Sequence, residues 1–388
     1  MDIVCGRGDS HACVHNRTPR QITIWWMLNL EGRIDVCACV VARSTAGVVD
    51  AEELSALTIV CTIAADFPGQ LPLKARSMAA TQLQTLVTAD GVEATGRTLA
   101  MELLTRGFAT FRPYVDWHAV VRRLMAEMLS VDGAHTEAAA GAVSFATVGA
   151  AKAALQRLCA ADMGLVSATV CTVLRGAGGV AERWRALQVV GAMVPRFAAQ
   201  AYGQLEELAG AVVAAIAPKR ATERRRLIGA AGAALQGLVR AYPFVSFDTE
   251  TQGLALGFAD GRCVAYDLRT ATRTAVLDSR TGRPVAAVAI APGGGLVASF
   301  ALGSGELSVW DPAPSALAMV ARSLFWADGA AEAQGSVAPS RSMTIPGDFL
   351  RHTDDLSLAA LLTLARLKWT GERTVQLRIR DATFSLAV

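Results

Sequence analysis

Apolar side chains recur at helical spacing from about residue 51 to residue 240. The clearest stripe follows Asp116, a predicted N-cap, and places its members on one helix face: Trp117, Val120, Val121, Leu124, Met125, Met128 and Leu129. Two later stripes repeat this spacing, at Leu205, Leu208, Val212 and Ile216, and at Leu227, Ile228, Ala231, Leu235, Leu238 and Val239. Successive amphipathic helices with short connections favour an α-solenoid of HEAT or armadillo type; a compact irregular bundle is the alternative.

The pattern changes from helical to strand-like after Tyr242 and Pro243. Short apolar runs between Asp, Thr and Gly turns predict strands at 244–247, 254–258, 262–266, 285–290, 296–300, 307–310, 364–369, 374–380 and 383–388. Residues 312–348 are rich in Ala, Pro, Ser and Gly and predict a loop with short elements. The fold class is therefore α+β with separate domains: a partly mobile segment at 1–50, a helical repeat-like domain at 51–240 and a β domain at 241–388.

Two segments of the β domain repeat each other at a distance of 44 residues. In each, a glycine is followed after four residues by an aromatic–Asp pair, and the members are Gly261, Tyr266 and Asp267, then Gly305, Trp310 and Asp311. A repeat of roughly 40–45 residues with an aromatic–Asp ending is typical of a WD-type propeller blade. We expect the glycines to allow tight turns, the aromatic rings to pack between blades and the aspartates to anchor the strand exits.

The repeat predicts an incomplete WD-type β-propeller of two to three blades. The Gly-His pair that usually stands upstream is absent, since Ser279, Arg280, Thr281 and Gly282 occupy that place. Propellers need about 4–8 blades, and open sheet edges are costly. We therefore expect other protein chains, or a helix of this chain, to complete or cover the propeller. An unrelated β-sandwich with a coincidental repeat is the alternative.

Composition and charge exclude several classes of protein. Of the 388 residues, 52% are hydrophobic and 18% are charged, which indicates a folded chain rather than a disordered one. The net charge of +3 is too balanced to indicate nucleic-acid binding. The long uncharged stretch at 284–305 is interrupted by Pro292 and three glycines, so it predicts two strands and not a membrane span. We expect a cytoplasmic protein with at most peripheral association with endomembranes.

The candidates for chemistry are few, and each has a plainer explanation. Cys5, His11, Cys13 and His15 match no zinc spacing, and Cys37 and Cys39 are expected to be buried thiols. Gly293 to Gly295 predict a turn rather than a phosphate loop. The basic cluster at 219–226 is a solvated helix start or a contact for acidic lipid or protein, and His352, Asp354 and Asp355 lie without a nucleophile nearby. The sequence therefore predicts no catalytic residue, metal or cofactor, and no enzyme.

Four stretches resemble a known family. They are Arg106 to Phe108 with Pro113 to Asp116, then Gly261 to Thr270, Val288 to Pro292, and Ala365 to Thr370. In this order, over roughly residues 55–388, the chain resembles the C-terminal region of the rabconnectin-3 beta subunit family.

The resemblance implies a non-enzymatic scaffold with protein partners. Members of this family work beside a rabconnectin alpha subunit and promote assembly of the V1 and Vo sectors of the vacuolar-type proton pump, the V-ATPase. They carry many WD repeats before the helices, whereas this chain starts in the helical region. The alternative is a structural subunit of another large trafficking or ciliary assembly that reuses this C-terminal module.

Overall fold

The computed structural model describes residues 62, 73–128, 145–217, 221–278, 282–311, 337, 339–346 and 358–388. The chain divides into two compact units, Met1–Val166 and Ser167–Val388. Helices form the described part of the first unit, and the second unit combines helices with three antiparallel sheets. The α+β class is therefore present. The change from helix to strand falls near residue 241, but the helices after residue 167 belong to the same unit as the strands.

The first unit is built from helices that contact one another in a ring. They are α1 (Leu73–Thr88), α2 (Ala94–Arg106), the short α3 (Phe108–Phe111), α4 (Trp117–Met128) and α5 (Phe145–Ala161). Helix α1 contacts α2 and α4, and α5 contacts the same two helices. In this arrangement each long helix packs against two others.

Helix α4 begins as its sequence predicts. The carboxylate of Asp116 accepts a hydrogen bond from the backbone N–H of Ala119 at 3.1 Å, which satisfies one of the unpaired donors of the first turn. The stripe from Trp117 to Met128 is buried, and Trp117 meets Phe108 edge to face at 4.7 Å between ring centroids. Leu129, the last predicted member of the stripe, lies outside the described residues.

A buried ion-pair network joins α2 to α4. Glu127 is 6% exposed, and one of its carboxylate oxygens accepts from the guanidinium groups of both Arg97 and Arg123 at 2.8 Å. Arg97 also donates to the backbone carbonyl of Ala89 at 2.9 Å, just beyond the end of α1. Burial, together with the nearby charge of Arg123, lowers the pKa of Arg97. Three helices are thus held together at a site where a lost partner would leave a charge buried.

The helices of the second unit pack closely around two glycines. They follow α6 (Met163–Thr172) and are α7 (Val180–Met193), the short α8 (Ala198–Ala201), α9 (Leu205–Ala215) and α10 (Ala221–Ala241). A Cβ built on Gly237 of α10 would lie 3.2 Å from the carbonyl oxygen of Gly191 in α7. The absence of side chains at both positions therefore lets the two helix backbones touch. Of the predicted stripe on α10, Ile228 and Val239 are exposed and the other members are buried.

Three antiparallel meanders follow the helices. The first contains β1 (Val245–Asp248), β2 (Gly253–Gly257), β3 (Arg262–Asp267) and β4 (Thr272–Asp278), and the second contains β5 (Val285–Ile290), β6 (Val297–Ala301), β7 (Glu306–Trp310) and β8 (Arg341–Thr344). The third contains β9 (Ala365–Gly371), β10 (Thr374–Ile379) and β11 (Ala382–Ala387), preceded by α11 (Leu358–Leu364).

The strand predictions from sequence missed two elements. Strand β4 was not predicted, and β8, which pairs with β7, lies in the predicted loop with short elements at 312–348, where the sequence predicts no particular strand. Both strands carry polar residues at exposed positions, so the apolar period is weak in each.

The three sheets stack through the first strand of each. Strand β5 contacts β1 and β2 of the first sheet and β9 of the third, and five of its six residues are buried. Between the second and third sheets the indole N–H of Trp369 donates to the carbonyl of Ala289 at 3.1 Å. The core on this side includes Phe300, Leu307 and Leu377. Apolar packing therefore continues from one sheet to the next.

The close glycine contact between α7 and α10 predicts that substitutions at two positions of α10 differ in their effect on stability. We expect Gly237→Leu to destabilise the protein by about 2–3 kcal/mol, because the new side chain would overlap the backbone of α7. The matched control is Gly229→Leu on the same helix, where a Cβ would meet nothing within 4 Å. The measurement is urea denaturation followed by circular dichroism. Equal midpoints for the two variants would show that the helices do not depend on this close approach.

Candidate functional site

The glycines of the two repeated motifs occupy turns that need a left-handed backbone. Gly261, before β3, has a φ of +88°, and Gly305, before β7, has a φ of +66°. Residues with a side chain are strained in this region, so glycine suits both places. The turn at Gly305 is also tied to the end of β8, because its carbonyl accepts from the backbone N–H of Ile345 at 2.8 Å.

The aromatic residues of the motifs differ in burial and in what they contact. Trp310 is fully buried, and its indole N–H donates to the hydroxyl of Ser299 at 2.8 Å. Tyr266 is half-buried, and its hydroxyl lies 3.9 Å from a Cβ built on Gly210 in α9. Burial raises the pKa of Tyr266, so its phenol is protonated over the physiological range.

The aspartates of the motifs differ in their surroundings. The carboxylate of Asp267 accepts from the backbone N–H of Arg269 at 2.8 Å and so closes the turn between β3 and β4. Asp311 directly follows β7 and is exposed, and the chain after it lies outside the described residues.

The pairing between the second and third strands differs by one residue between the two sheets, although the sequences repeat at a distance of 44 residues. Strands β2 and β6 are 44 residues apart, but Leu254 pairs with Tyr266 whereas the equivalent Ala298 pairs with Val309. The shift arises in the hairpins, where the last paired residues are Gly257 and Cys263 in the first sheet but Ala301 and Glu306 in the second. A shift of one residue reverses the face of every side chain in a strand. The repeat therefore predicts the aromatic–Asp positions but assigns the residues of β6 to the wrong face.

The first and second sheets approach each other closely where β2 meets β5. A Cβ on Gly257 would lie 2.7 Å from the Cβ of Val285, so a glycine is needed where β2 approaches β5. Burial raises the pKa of the Cys263 thiol to about 12, although a hydrogen bond from Ser299 lowers it in part. Ser299 therefore contacts the third strand of both sheets, through Cys263 in one and Trp310 in the other.

Helices cover the other face of the first sheet. Phe244, at the entry to β1, packs against the rings of Tyr202 and Tyr242 at centroid distances of 5.3 Å and 5.2 Å. The hydroxyl of Tyr242 donates to the carbonyl of Ala198 at 2.8 Å, and burial raises its pKa. The aromatic cluster thus fixes the end of α10 to the first strand of the stack.

Arg224, part of the predicted basic cluster, joins α9 to the turn after β3. Its guanidinium donates to the carbonyls of Ile216 at 2.8 Å, Leu268 at 2.8 Å and Arg269 at 3.0 Å. Arg225 and Arg226 are exposed, while Lys219 and Arg220 lie outside the described residues. One of the basic residues is therefore structural, which the sequence does not reveal because its acceptors are 8 to 45 residues away.

The remaining candidates from the sequence form no site that the structure describes. Gly293 and Gly294 have φ values of +85° and +72° and make the turn between β5 and β6. In the described part of the chain, no group of three or more His, Cys, Asp or Glu residues could hold a metal ion. Outside the described residues lie the N-terminal candidates Cys5, His11, Cys13, His15, Cys37 and Cys39, and the loop candidates His352, Asp354 and Asp355.

The cysteines within the described ranges are buried thiols. Burial raises the pKa of Cys159 to about 12 and that of Cys171 to about 11, so both are poor nucleophiles at neutral pH.

Among the helices that the structure describes, no single one is long and apolar enough to cross a membrane. Residues 146–161 and 163–176, taken together as a bent pair, meet that test on length and composition.

Comparison with known proteins adds little to this picture. No family model matches the chain, and no curated protein matches it. Among solved structures, the chain is similar to Kluyveromyces lactis Hsv2 at 8% identity and a TM-score of 0.26. The match covers 38% of this chain and 42% of that one, so this chain corresponds to less than half of that structure. Similarity at this level carries no argument about fold or function.

The hydrogen bond between Trp310 and Ser299 leads to a prediction about stability. Ser299→Ala leaves the buried indole N–H without its acceptor, and we expect a loss of about 1–3 kcal/mol in the free energy of unfolding. The control is Ser385→Ala at an exposed position of β11, which should change stability by less than about 0.5 kcal/mol. Thermal unfolding of both variants measures the difference. A Ser299 variant as stable as the control would show that the indole finds another acceptor.

Arg224 and Arg225 are adjacent but should respond differently to truncation. Arg224→Ala removes donors to three carbonyls, and we expect it to destabilise the second unit by about 1–3 kcal/mol. Arg225→Ala alters an exposed side chain and should cost less than about 0.5 kcal/mol. Amide hydrogen exchange at Leu268 to Thr270 locates the effect. If exchange there is unchanged in the Arg224 variant, the turn does not depend on this contact.

Proposed function

We propose that the three sheets are consecutive blades of an incomplete WD-type propeller and that the chain is a non-enzymatic scaffold. The observation that carries this proposal is the order of the stack: the first strands β1, β5 and β9 of three successive meanders lie side by side. Blades of a propeller are four-stranded meanders arranged radially, with their first strands next to the central channel. A scaffold of this kind acts through its surfaces and needs no reactive group.

For the helices, the contacts of α1 with α4 and of α2 with α5 are those expected of two successive helix pairs stacked on each other, and they also fit a four-helix bundle. The helices of the second unit have another role. They cover one face of the first sheet, so on that side a helix of this chain takes the place of a further blade.

We propose partners from the rabconnectin-like assembly: an alpha-type subunit and the V1 and Vo sectors of the V-ATPase. The two most specific stretches of the resemblance have structural explanations in this chain. In Arg106 to Phe108, Gly107 lies against the ring of Phe111. A Cβ at this position would lie 2.7 Å from one of the ring carbons, which is too close. In Ala365 to Thr370, Trp369 binds the second sheet through Ala289. These stretches therefore support a shared fold more directly than shared partners.

For that reason we also propose a second function. A structural subunit of another large trafficking or ciliary assembly would need the same fold and the same buried residues. The identity of the neighbouring chains separates the two proposals, since both describe a scaffold.

The test is purification of the full chain, tagged at its own locus, under native conditions, with cross-linking and mass spectrometry of what it contacts. The first proposal expects V1 or Vo subunits and a second rabconnectin-like chain cross-linked to this one. Subunits of a trafficking or ciliary complex would support the alternative. A stable monomer without cross-linked neighbours would contradict the scaffold itself, and an untagged strain processed in parallel controls for carry-over.

A further inference from the structure

Among the described residues, the third sheet is packed against other elements on one face only. Its inner positions are apolar and pack on the second sheet through residues such as Trp369, Val375 and Leu377. Its outer positions alternate with these and are exposed at Arg366, Lys368, Arg378, Thr383 and Ser385. Such alternation is typical of a sheet with one solvated face. In the first two sheets, by contrast, the equivalent face is covered by β5 and by β9.

The exposed face carries positive charge without carboxylate partners. We call Arg366, Lys368 and Arg378 the basic face. Arg366 donates to the carbonyls of Leu362 at 3.0 Å and Ala365 at 3.3 Å, and Arg378 donates to the carbonyl of Arg380 at 3.2 Å. No ion pair of the described residues includes a member of the basic face.

The charges of the basic face are also close together. Arg366 and Arg378 are direct cross-strand partners, and Lys368 lies two residues along β9 from Arg366. Like charges at directly opposite positions repel and destabilise a sheet. Residues 365–388 contain five basic and two acidic residues, a net charge of +3 that equals the net charge of the whole chain. The third sheet therefore carries a net positive charge of its own.

These features limit what can bind the basic face. A further sheet packed through apolar side chains does not fit, because the outer positions offer only charged, hydroxyl, amide and small groups. A second copy does not fit face to face, since the same positive charges would meet across the twofold axis. A membrane surface fits poorly, because stable attachment needs an apolar anchor or a second signal beside a few basic residues.

We propose that the basic face docks an acidic segment of a partner protein, whose Asp and Glu side chains accept from Arg366, Lys368 and Arg378. Arg366 and Arg378 stand opposite each other on adjacent strands, and each guanidinium group can bind a carboxylate through two of its N–H donors. Thr383 and Ser385 add hydroxyl groups to the same face. The inference rests on the proposed scaffold function, because it names the surface and the chemistry of one of its contacts.

The test uses the full chain and a fluorescent oligoglutamate peptide, with affinity measured by anisotropy at low and at physiological salt. We expect the combined variant Arg366→Glu, Lys368→Glu and Arg378→Glu to weaken binding at least about tenfold, since it replaces attraction by repulsion. The control is Arg225→Glu, Arg226→Glu and Arg240→Glu on α10, which changes the net charge equally at exposed positions and should leave the affinity within about twofold. Equal losses in both variants would overturn the proposal.

A milder variant keeps the proposal testable if the triple charge-reversal variant does not fold. Arg378→Gln removes one of the two opposed charges, so it should not lower the thermal midpoint, yet it should weaken peptide binding. Full peptide affinity in this folded variant would overturn the proposal. In a parallel arm, vesicles of phosphatidylcholine with and without phosphatidylserine replace the peptide. Binding to the anionic vesicles alone, lost in the triple charge-reversal variant, would assign the face to a membrane instead.

Failure of this inference can be separated from failure of the scaffold proposal. If the triple charge-reversal variant is purified with all the neighbours of the natural chain, the scaffold proposal is supported and the basic face is not a docking surface. If the peptide binds the basic face but the natural chain is purified as a monomer, the face stands and the scaffold fails.

Discussion

The second unit depends on a single strand that is apolar on both faces. Strand β5 has its inner side chains against the first sheet and its outer ones against the third, and only Ile290 is partly exposed. Its backbone is also held, since Val288 donates to the carbonyl of Pro243 at 3.0 Å and Ile290 donates to the hydroxyl of Ser246 at 3.1 Å. A strand buried in this way cannot tolerate a polar residue or a gap, because neither face has access to water. The position of β5 therefore fixes the first and third sheets relative to one another.

The two ends of the stack are closed by different means. On the first sheet, α9 lies against Tyr266, α10 contacts β1, and Arg224 of α10 binds the carbonyls of the turn beyond β3. On the third sheet nothing of the described chain covers the outer face, and the side chains there are polar. The open end of the stack thus exposes polar side chains rather than apolar surface. This distinction matters for partners, because a polar face selects a charged ligand whereas an apolar face would select another sheet.

The sequence predicts local structure well here and long-range structure poorly. Apolar residues recur with periods of 3.6 residues in helices and 2 in strands, and a short segment is enough to show either period. The bounds of α4, β5 and β6 could therefore be predicted to within a residue or two. Strands β4 and β8 carry exposed polar residues, so their period is weak, and β8 follows a connection of about 30 residues. The register of β6 could not be read from the 44-residue repeat, because it depends on one residue in a hairpin. The contact of Gly191 with Gly237 and the bonds of Arg224 join residues far apart in the chain, and no local pattern encodes them.

The aromatic–Asp motif is best understood as a means of joining layers, and the third sheet shows why. Tyr266 and Trp310 stand on the third strands of their sheets; Tyr266 lies against α9, and Trp310 is linked to the first sheet through Ser299, which also bonds to Cys263. The third sheet has no such pair at the end of its third strand, β11, where Leu386 is followed by Ala387 and Val388. Its contact with the preceding layer is made by Trp369 on its first strand, through the carbonyl of Ala289. Trp310 and Trp369 each bury a large ring with a satisfied N–H, but from the third strand of one sheet and the first strand of the next. A search for the motif therefore finds two sheets, although an aromatic residue is linked to the preceding layer in all three.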